Sequence, residues 1–154
     1  MIISLITVCF NSEKTIANTI ESVLNQDYKE LEYIIIDGLS NDNTVKIIES
    51  YKEKFQEKGY IYKWVSEKDN GIYDAMNKGI LIANGDIIGI LNSDDQFAYN
   101  DVLNDVSINL KDEKYDCCYG NLIYLKNGKP YRYWKAGKPR TFKYGWMPPH
   151  PTIF

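Results

Sequence analysis

Residues 85–97 read GDIIGILNSDDQF, and how this stretch is parsed decides the fold. Ile87 to Leu91 is a short apolar run of the kind that fills a parallel strand buried on both faces. Asp94 and Asp95 come directly after it. In open α/β sheets, ligands bind beyond the carboxyl ends of the strands. Two neighbouring carboxylates there repel each other unless a cation or ligand donors compensate. That points to a divalent metal and, beyond it, a phosphate-bearing ligand. The competing reading is a turn or helix start, since Asp is favoured in both. The rest of the chain decides between the two.

Outward from this stretch, strand-like and helix-like segments alternate. Ile2 to Cys9 is apolar and β-branched, and Ser12 is placed to cap a helix whose apolar positions Ile16, Ile20, Val23 and Leu24 recur at helical spacing. Tyr33 to Ile36 reads as a second buried strand, stopped by Asp37-Gly38. Ser40 to Asn43 is turn and cap chemistry, leading into a helix through Val45, Ile48, Tyr51 and Phe55. Tyr60 to Val65 reads as a third strand and Gly71 to Ala83 as a helix, with Asn84-Gly85 as its C-cap. After Ile87 to Leu91 come a helix marked by Val102, Leu103, Val106 and Leu110, and a fifth strand over Tyr115 to Tyr119. Leu122 to Leu125 and Tyr131 to Trp134 flank Asn127-Gly128, a hairpin signal. The pattern predicts an α/β fold with a doubly wound, mostly parallel sheet flanked by helices and a β-hairpin near the C-terminus. The final segment, His150 to Phe154, reads as a strand cut short, as in a fragment of a longer protein.

Composition narrows the class. A chain of 154 residues suits one domain with a real core, and 44% apolar with 25% charged residues is ordinary soluble usage. A net charge of −3 gives no broad basic face for nucleic acid. The 13 tyrosines are expected mostly in the core, with a few free to stack on sugars or bases. Cys9, Cys117 and Cys118 lack metal-ligand spacing and read as reduced, small hydrophobes. No signal peptide leads the chain and no apolar stretch approaches the roughly 20 residues that span a bilayer, so a soluble cytoplasmic protein is expected.

Three further polar clusters fall at strand ends, on the same edge as Asp94 and Asp95: Thr7 to Ser12, Asp37, and Lys68 to Gly71. Carboxylates and amides on one edge suit the imide edge of a pyrimidine and ribose hydroxyls, with a metal taking the diphosphate. Neither GxGxxG nor GxxxxGK[ST] occurs, so a bound diphosphate would need a cation. No GxSxG elbow is present, and His150 has no carboxylate or cysteine close in sequence.

The stretches ITVCFNSEKTIANTIESVLNQDY (6–28), EYIIIDGLSNDNT (32–44), SEKDNGIYDAMNKGI (66–80) and NGDIIGILNSDD (84–95), in this order, resemble family 2 glycosyltransferases of the GT-A fold. The likeness is greatest to enzymes of bacterial cell-surface polysaccharide synthesis. It implies transfer of a sugar, with inversion, from a nucleotide-diphosphate sugar, UDP-sugars favoured, to a glycan or lipid-linked acceptor. By position it implies that Thr7, Phe10 and Asn11 pack against the nucleotide, Asp37 binds base or ribose, and Asp69 lines the base pocket with Lys68 helping. Asp74, Asn77 and Lys78 match donor-facing positions, and Asp74 and Asn77 share a helical face. Asn92-Ser93-Asp94-Asp95 stands at the DXD signature with its leading acid replaced by Asn92. Asp95 would then ligate Mg²⁺ or Mn²⁺, and Asp94 would contact ribose or share the cation, with His150 a candidate third contact.

The resemblance makes 1–119 the donor-binding core and 120–154 the start of an acceptor-side region within one domain. The family's base is an acidic residue beyond the hairpin, so it would lie past residue 154 and the catalytic residue is unassigned. Lipid-linked acceptors imply peripheral association with the inner face of the plasma membrane, although no basic amphipathic helix is present. The oligomeric state is unassigned. Competing readings are a catalytically incomplete nucleotide-sugar-binding module and a sugar-nucleotide pyrophosphorylase, which needs a glycine-rich basic loop where Cys9-Phe10-Asn11-Ser12 stands. A receiver domain would need an acidic pair after strand one, where Phe10-Asn11 stands instead.

Overall fold

The computed structural model describes residues 1–112 and 114–154. Four parallel strands form the sheet, β1 (Ile3–Cys9), β2 (Leu31–Asp37), β3 (Ile61–Ser66) and β4 (Ile87–Ile90), in the spatial order β3-β2-β1-β4. Every residue of β1 and β2 is buried, as continuous apolar runs in a doubly covered sheet should be. The order reverses direction at β1: the chain lays β2 and β3 on one side, then returns to place β4 on the other.

Helices cover both faces. Ile3, Leu5, Tyr33 and Ile35 point to one face, where they pack with α1 (Ile16–Leu24), α2 (Thr44–Ser50), α3 (Lys52–Glu57) and α5 (Val102–Leu110). Ile6, Val8, Ile34 and Ile36 point to the other and meet Ala75 of α4 (Ile72–Ile82). The helix predicted as continuous through Tyr51 is split there. The amide of Tyr51 bonds Ile48 in a tightened turn, and its buried ring sends a hydroxyl to Glu21 of α1 at 2.9 Å. On the same face Phe55 stacks on Tyr62 with centroids 4.5 Å apart.

The amino end of the sheet holds a buried charge. Glu32 accepts hydrogen bonds from Ser4 Oγ, from Lys63 Nζ at 2.5 Å, and from the amide and side chain of Asn84 at 2.8 and 3.1 Å. Burial alone would raise its pKa, but these donors together pull it down to about 2. Asn84-Gly85 therefore does not form the predicted C-cap. The helix ends at Ala83 in extended backbone, and Asn84 turns to Glu32. Gly85 is needed for space, since a Cβ there would lie 2.7 Å from the Ser4 amide nitrogen.

Two other expectations fail near the C-terminus. Tyr115 to Tyr119 adds no fifth parallel strand; Tyr115, Asp116 and Cys117 are exposed, and a strand carrying Asp116 could not be covered on both faces. Instead Cys118 and Phe154 exchange amide–carbonyl bonds at 3.0 Å, an antiparallel contact. The terminal segment is a 3₁₀ turn (His150–Thr152) followed by this pairing, with the Phe154 ring against Gly89 of β4. The hairpin of β5 (Leu122–Lys126) and β6 (Lys129–Trp134) forms as predicted, with Asn127 and Gly128 both at positive φ, the requirement of a tight primed turn. Its base is fastened by Tyr119 Oη to the Gly137 carbonyl and by the Ala136 amide to Asn121 Oδ1, both at 3.0 Å. The tyrosines are not mostly core, since seven of 13 are exposed. Cys9, Cys117 and Cys118 are free thiols, Cys9 buried and Cys117 exposed. Among the described residues no helix is long and apolar enough to cross a membrane.

Candidate active site

The reversal of strand order between β1 and β4 makes their carboxyl ends the topological switch point, where diverging loops leave a crevice. A cleft of about 460 Å³ opens there, with Asn11 to Thr15 as one lip, Ser93 and Asp94 as the other, and Asp42 behind. Ser12 Oγ and Ser93 Oγ share a hydrogen bond at 3.0 Å, joining the loops after β1 and β4. The sequence assigns Ser12 to a helix cap. Its carbonyl does receive the Thr15 and Ile16 amides, but its hydroxyl goes across the cleft instead. Asp42, read only as turn chemistry, receives both the hydroxyl and amide of Thr44 and the amide of Glu13. Burial works against its charge, yet these bonds hold its carboxyl below the usual range.

On the β2–β3 side, Phe10 follows β1 with an exposed ring, and Asp69 brings its carboxylate to Gly38. A Cβ on Gly38 would lie 2.5 Å from Asp69 Oδ2 and 3.4 Å from the Phe10 ring, so only glycine leaves room for both. Asp69 Oδ1 takes the Gly71 amide at 2.8 Å, which fixes the carboxylate. Asn11 and Leu39 sit at φ 50° and 64°, and the Asn11 amide and side chain bond Ser40 and Asn41. Non-glycine residues at positive φ cost energy, so this edge stores backbone strain.

Several expected contacts lie elsewhere. Thr7 is fully buried inside β1 and accepts the Tyr33 hydroxyl at 3.0 Å; it faces the core, because it lies within the strand, which ends only at Cys9. Asp37 is also fully buried, with its carboxylate taken by Ser40, by Ser66 Oγ at 2.6 Å and by the Cys9 thiol at 3.6 Å. Burial, then the Asp37 charge, pushes the Cys9 thiol far up, so it stays protonated. Asp74, in the first turn of α4, receives the Asn70 amide at 2.9 Å and so ties the preceding loop to the helix. Lys78 bonds Glu67 at 2.9 Å and the Lys68 carbonyl at 2.8 Å, with Asp74 at 3.9 Å; the Glu67 bond raises its pKa. Both are thus engaged in holding the loop that carries Asp69, while Lys68 and Asn77 are exposed.

Asn92 to Asp95 forms a turn closed by the Asp95 amide on the Asn92 carbonyl at 3.0 Å. The loop is pinned from α1 and the residues just after it: Thr19 Oγ1 bonds the Asp95 carbonyl, Ser22 takes the Phe97 amide, and Gln26, beyond the helix end, bonds the Tyr99 carbonyl and the Leu103 amide. This polar stripe at positions 19, 22 and 26 was missed; its helical spacing beside the apolar one was the available signal. Asn92 Nδ2 bonds Asp95 Oδ2 at 3.2 Å, while Asn92 Oδ1 is buried with no partner. Burial raises the Asp95 pKa and the Asp94 charge adds to it, against the Asn92 hydrogen bond and the field of His150. Among the described residues no three His, Cys, Asp or Glu side chains are grouped to hold a metal, so Asp94, Asp95 and His150 do not form a ready three-ligand set. An orphaned buried carbonyl oxygen beside a carboxylate that resists ionisation still fits a hard cation, which would satisfy both.

A family profile described as Glycosyl transferase family 2 matches residues 4–153. An uncharacterized glycosyltransferase of Mycobacterium tuberculosis is 41% identical over 102 residues, 66% of this chain and 37% of that protein. The Escherichia coli UDP-Glc:alpha-D-GlcNAc-diphosphoundecaprenol beta-1,3-glucosyltransferase WfaP is 32% identical over 129 residues, 82% of this chain and 48% of that protein. The crystal structure of S. aureus TarS 1-349 in complex with UDP-GlcNAc matches with a TM-score of 0.73 at 25% identity, over 86% of this chain and 37% of that one. The chain thus spans between 37% and 48% of the length of these relatives.

Proposed function

The chain belongs to glycosyl transferase family 2, and from this we propose that it binds the nucleotide-sugar donor of a glycosyltransferase in cell-surface polysaccharide synthesis. The donor is a UDP-sugar, and transfer to a glycan or lipid-linked acceptor inverts the anomeric carbon. The observation that carries the reading is the cleft at the switch point, with Asn11-Ser12 and Ser93-Asp94 as facing lips and the Phe10–Asp69 pair beside it. The UDP-Glc in the name of WfaP and the UDP-GlcNAc bound to TarS support the choice of nucleotide.

Each group has a task that its chemistry suits. The exposed Phe10 ring offers a face for the base, and the Asp69 carboxylate accepts from an imide N–H, as uracil presents. Asp37 stays a positioning residue, holding the loop after β2 through Ser40 and tying it to β3 through Ser66. Lys78 and Asp74 position the Asp69 loop from α4. Asp94, Asp95 and Asn92 Oδ1 supply hard oxygen donors for Mg²⁺ or Mn²⁺. Such an ion, when bound, neutralises charge on the departing diphosphate. The Ser12–Ser93 bond keeps the two lips at a fixed separation.

Calorimetric titration with UDP-, GDP- and CMP-sugars in Mn²⁺ tests the proposal. UDP-sugars should bind most tightly, and Phe10→Ala should weaken them about tenfold, the lower part of the range for base–aromatic stacking. No binding by any of the three, or equal binding by Phe10→Ala and Asp69→Ala, contradicts it.

A further inference from the structure

The charge of this chain is divided along its length. Residues 120–154 hold seven Lys and Arg, from Lys126 to Lys143, and no Asp or Glu. Residues 1–119 hold all 21 acidic residues against 11 Lys, so the small total of −3 is the sum of −10 and +7. The β5–β6 hairpin gathers three of the cations on one face. Its pairing sets Lys126 directly opposite Lys129 and Arg132 opposite Tyr124, so these four share a face, with Ile123 and Tyr133 on the other. Like charges directly opposite each other weaken a strand pair. Lys126, Lys129 and Arg132 are all exposed, and among the described residues no carboxylate pairs with any of them. Aromatic rings steady two of the three, with Lys126 5.7 Å from the Tyr131 centroid and Arg132 5.6 Å from that of Tyr124.

We propose that this face binds an anionic glycan, one carrying carboxylate or phosphate groups, as the acceptor of the transfer. That the ligand is a glycan rests on the transferase reading; that it is anionic rests on the hairpin. An anion seated between Lys126 and Lys129 turns their mutual repulsion into two attractions. Nucleic acid fits less well. Duplex DNA carries a charge about every 1.7 Å, so most of its charge would run past this small face and meet the −10 of the remaining chain. Bases also stack on open rings, and Tyr124 and Tyr131 each have a cation over one ring face. A glycan with one charge per repeat meets the three cations and presents only neutral hydroxyls elsewhere. The hairpin is rooted on the strand that leads to the donor edge. Cys118, just before β5, pairs with Phe154, whose ring lies on Gly89 of β4, and β4 runs into Asn92 to Asp95. The Asn127-Gly128 turn and the bonds from Tyr119 and Asn121 present the hairpin already ordered, which lowers the entropy lost on binding.

Calorimetric titration with an oligogalacturonate, a glycerol phosphate oligomer and a dextran oligosaccharide of equal length tests it. At least one of the two anionic glycans should bind, more weakly as salt rises, and which one separates carboxylate from phosphate recognition. Dextran should not bind. Neutralising the face, with Lys126→Gln, Lys129→Gln and Arg132→Gln, should lower affinity about tenfold or more, as roughly two- to fivefold per exposed ion pair compounds. Lys126→Arg with Lys129→Arg should bind as the parent does. Lys129→Glu sets an acid opposite Lys126, so it should melt no lower than the parent and still bind several fold more weakly, which separates lost binding from lost folding. UDP with Mn²⁺ is titrated into the same samples, and the hairpin variants should take it as the parent does. A parent that binds UDP but neither anionic glycan overturns the hairpin proposal alone, and one that binds none of the three overturns the donor reading with it. Equal binding of dextran, unchanged affinity after neutralisation, or tighter binding of a single-stranded oligonucleotide of equal length also overturns the proposal.

Discussion

At the amino end of the sheet, Glu32 is buried with donors from Ser4, Lys63 and Asn84, and its charge is strongly favoured. At the carboxyl edge, Asp95 is half-buried beside Asp94, its charge is disfavoured, and Asn92 keeps an orphaned carbonyl oxygen. Both are acidic groups withdrawn from water at the ends of parallel strands. At one end both Glu32 oxygens have donors, while the other leaves one buried acceptor, Asn92 Oδ1, without a donor and tolerates Asn11 and Leu39 at positive φ. A closed network stabilises a fold, whereas an edge with unmet acceptors is completed by something that is not protein. The difference separates what this chain uses to fold from what it holds ready to bind.

The comparison can be broken most forcefully at Glu32. Its folded pKa, about 2, lies below the ordinary 4.5, so its stabilising contribution is complete above pH 4.5. That contribution is lost as pH falls from 4.5 toward 2, and at most about 3 kcal/mol is at stake. Urea unfolding of the parent should show this acid-side loss, and Glu32→Gln should flatten it. An unchanged acid slope in Glu32→Gln would mean that the amino end is not the closed network described. Ser12→Ala should cost less, about 0.5–1.5 kcal/mol by the same assay, because only the neutral bonds of one part-exposed hydroxyl, to Ser93 and to the Phe10 carbonyl, are lost. It should also weaken donor binding by loosening the lips of the cleft. The smallest effect has the opposite sign. Asp95→Asn removes a charge that burial disfavours, so it should raise stability slightly at pH 7. A clear loss of stability would place Asp95 with Glu32 among the structural carboxylates.

Much of this was legible in the sequence. The four parallel strands could be read as apolar, β-branched runs, of which β1 and β2 are buried throughout while Ile88 of β4 and Ile61 of β3 are exposed, and the hairpin because Asn127-Gly128 fits one turn geometry. The edge that gathers Phe10, Asp69 and Asp94 followed from where those runs stop. What stayed hidden depends on partners distant in sequence. Thr7 looked like an edge residue until Tyr33 was seen to claim its hydroxyl, and the Ser12 hydroxyl has its partner 81 residues away. Tyr115 to Tyr119 has the composition of a strand, but Asp116 gives it nowhere to be buried. The charge division was present in the sequence and was concealed by averaging, since a net charge says nothing of order along the chain.

The most direct measurement compares the two ends in one titration. UDP is titrated into the parent, Asp95→Asn and Glu32→Gln, each with Mn²⁺ and again with EDTA. The expected result is Mn²⁺-dependent binding by the parent and by Glu32→Gln, and a loss of at least about tenfold in Asp95→Asn, the scale of one charged contact. Binding that ignores EDTA, or that survives intact in Asp95→Asn, would contradict the assignment of the carboxyl edge as a metal–diphosphate site.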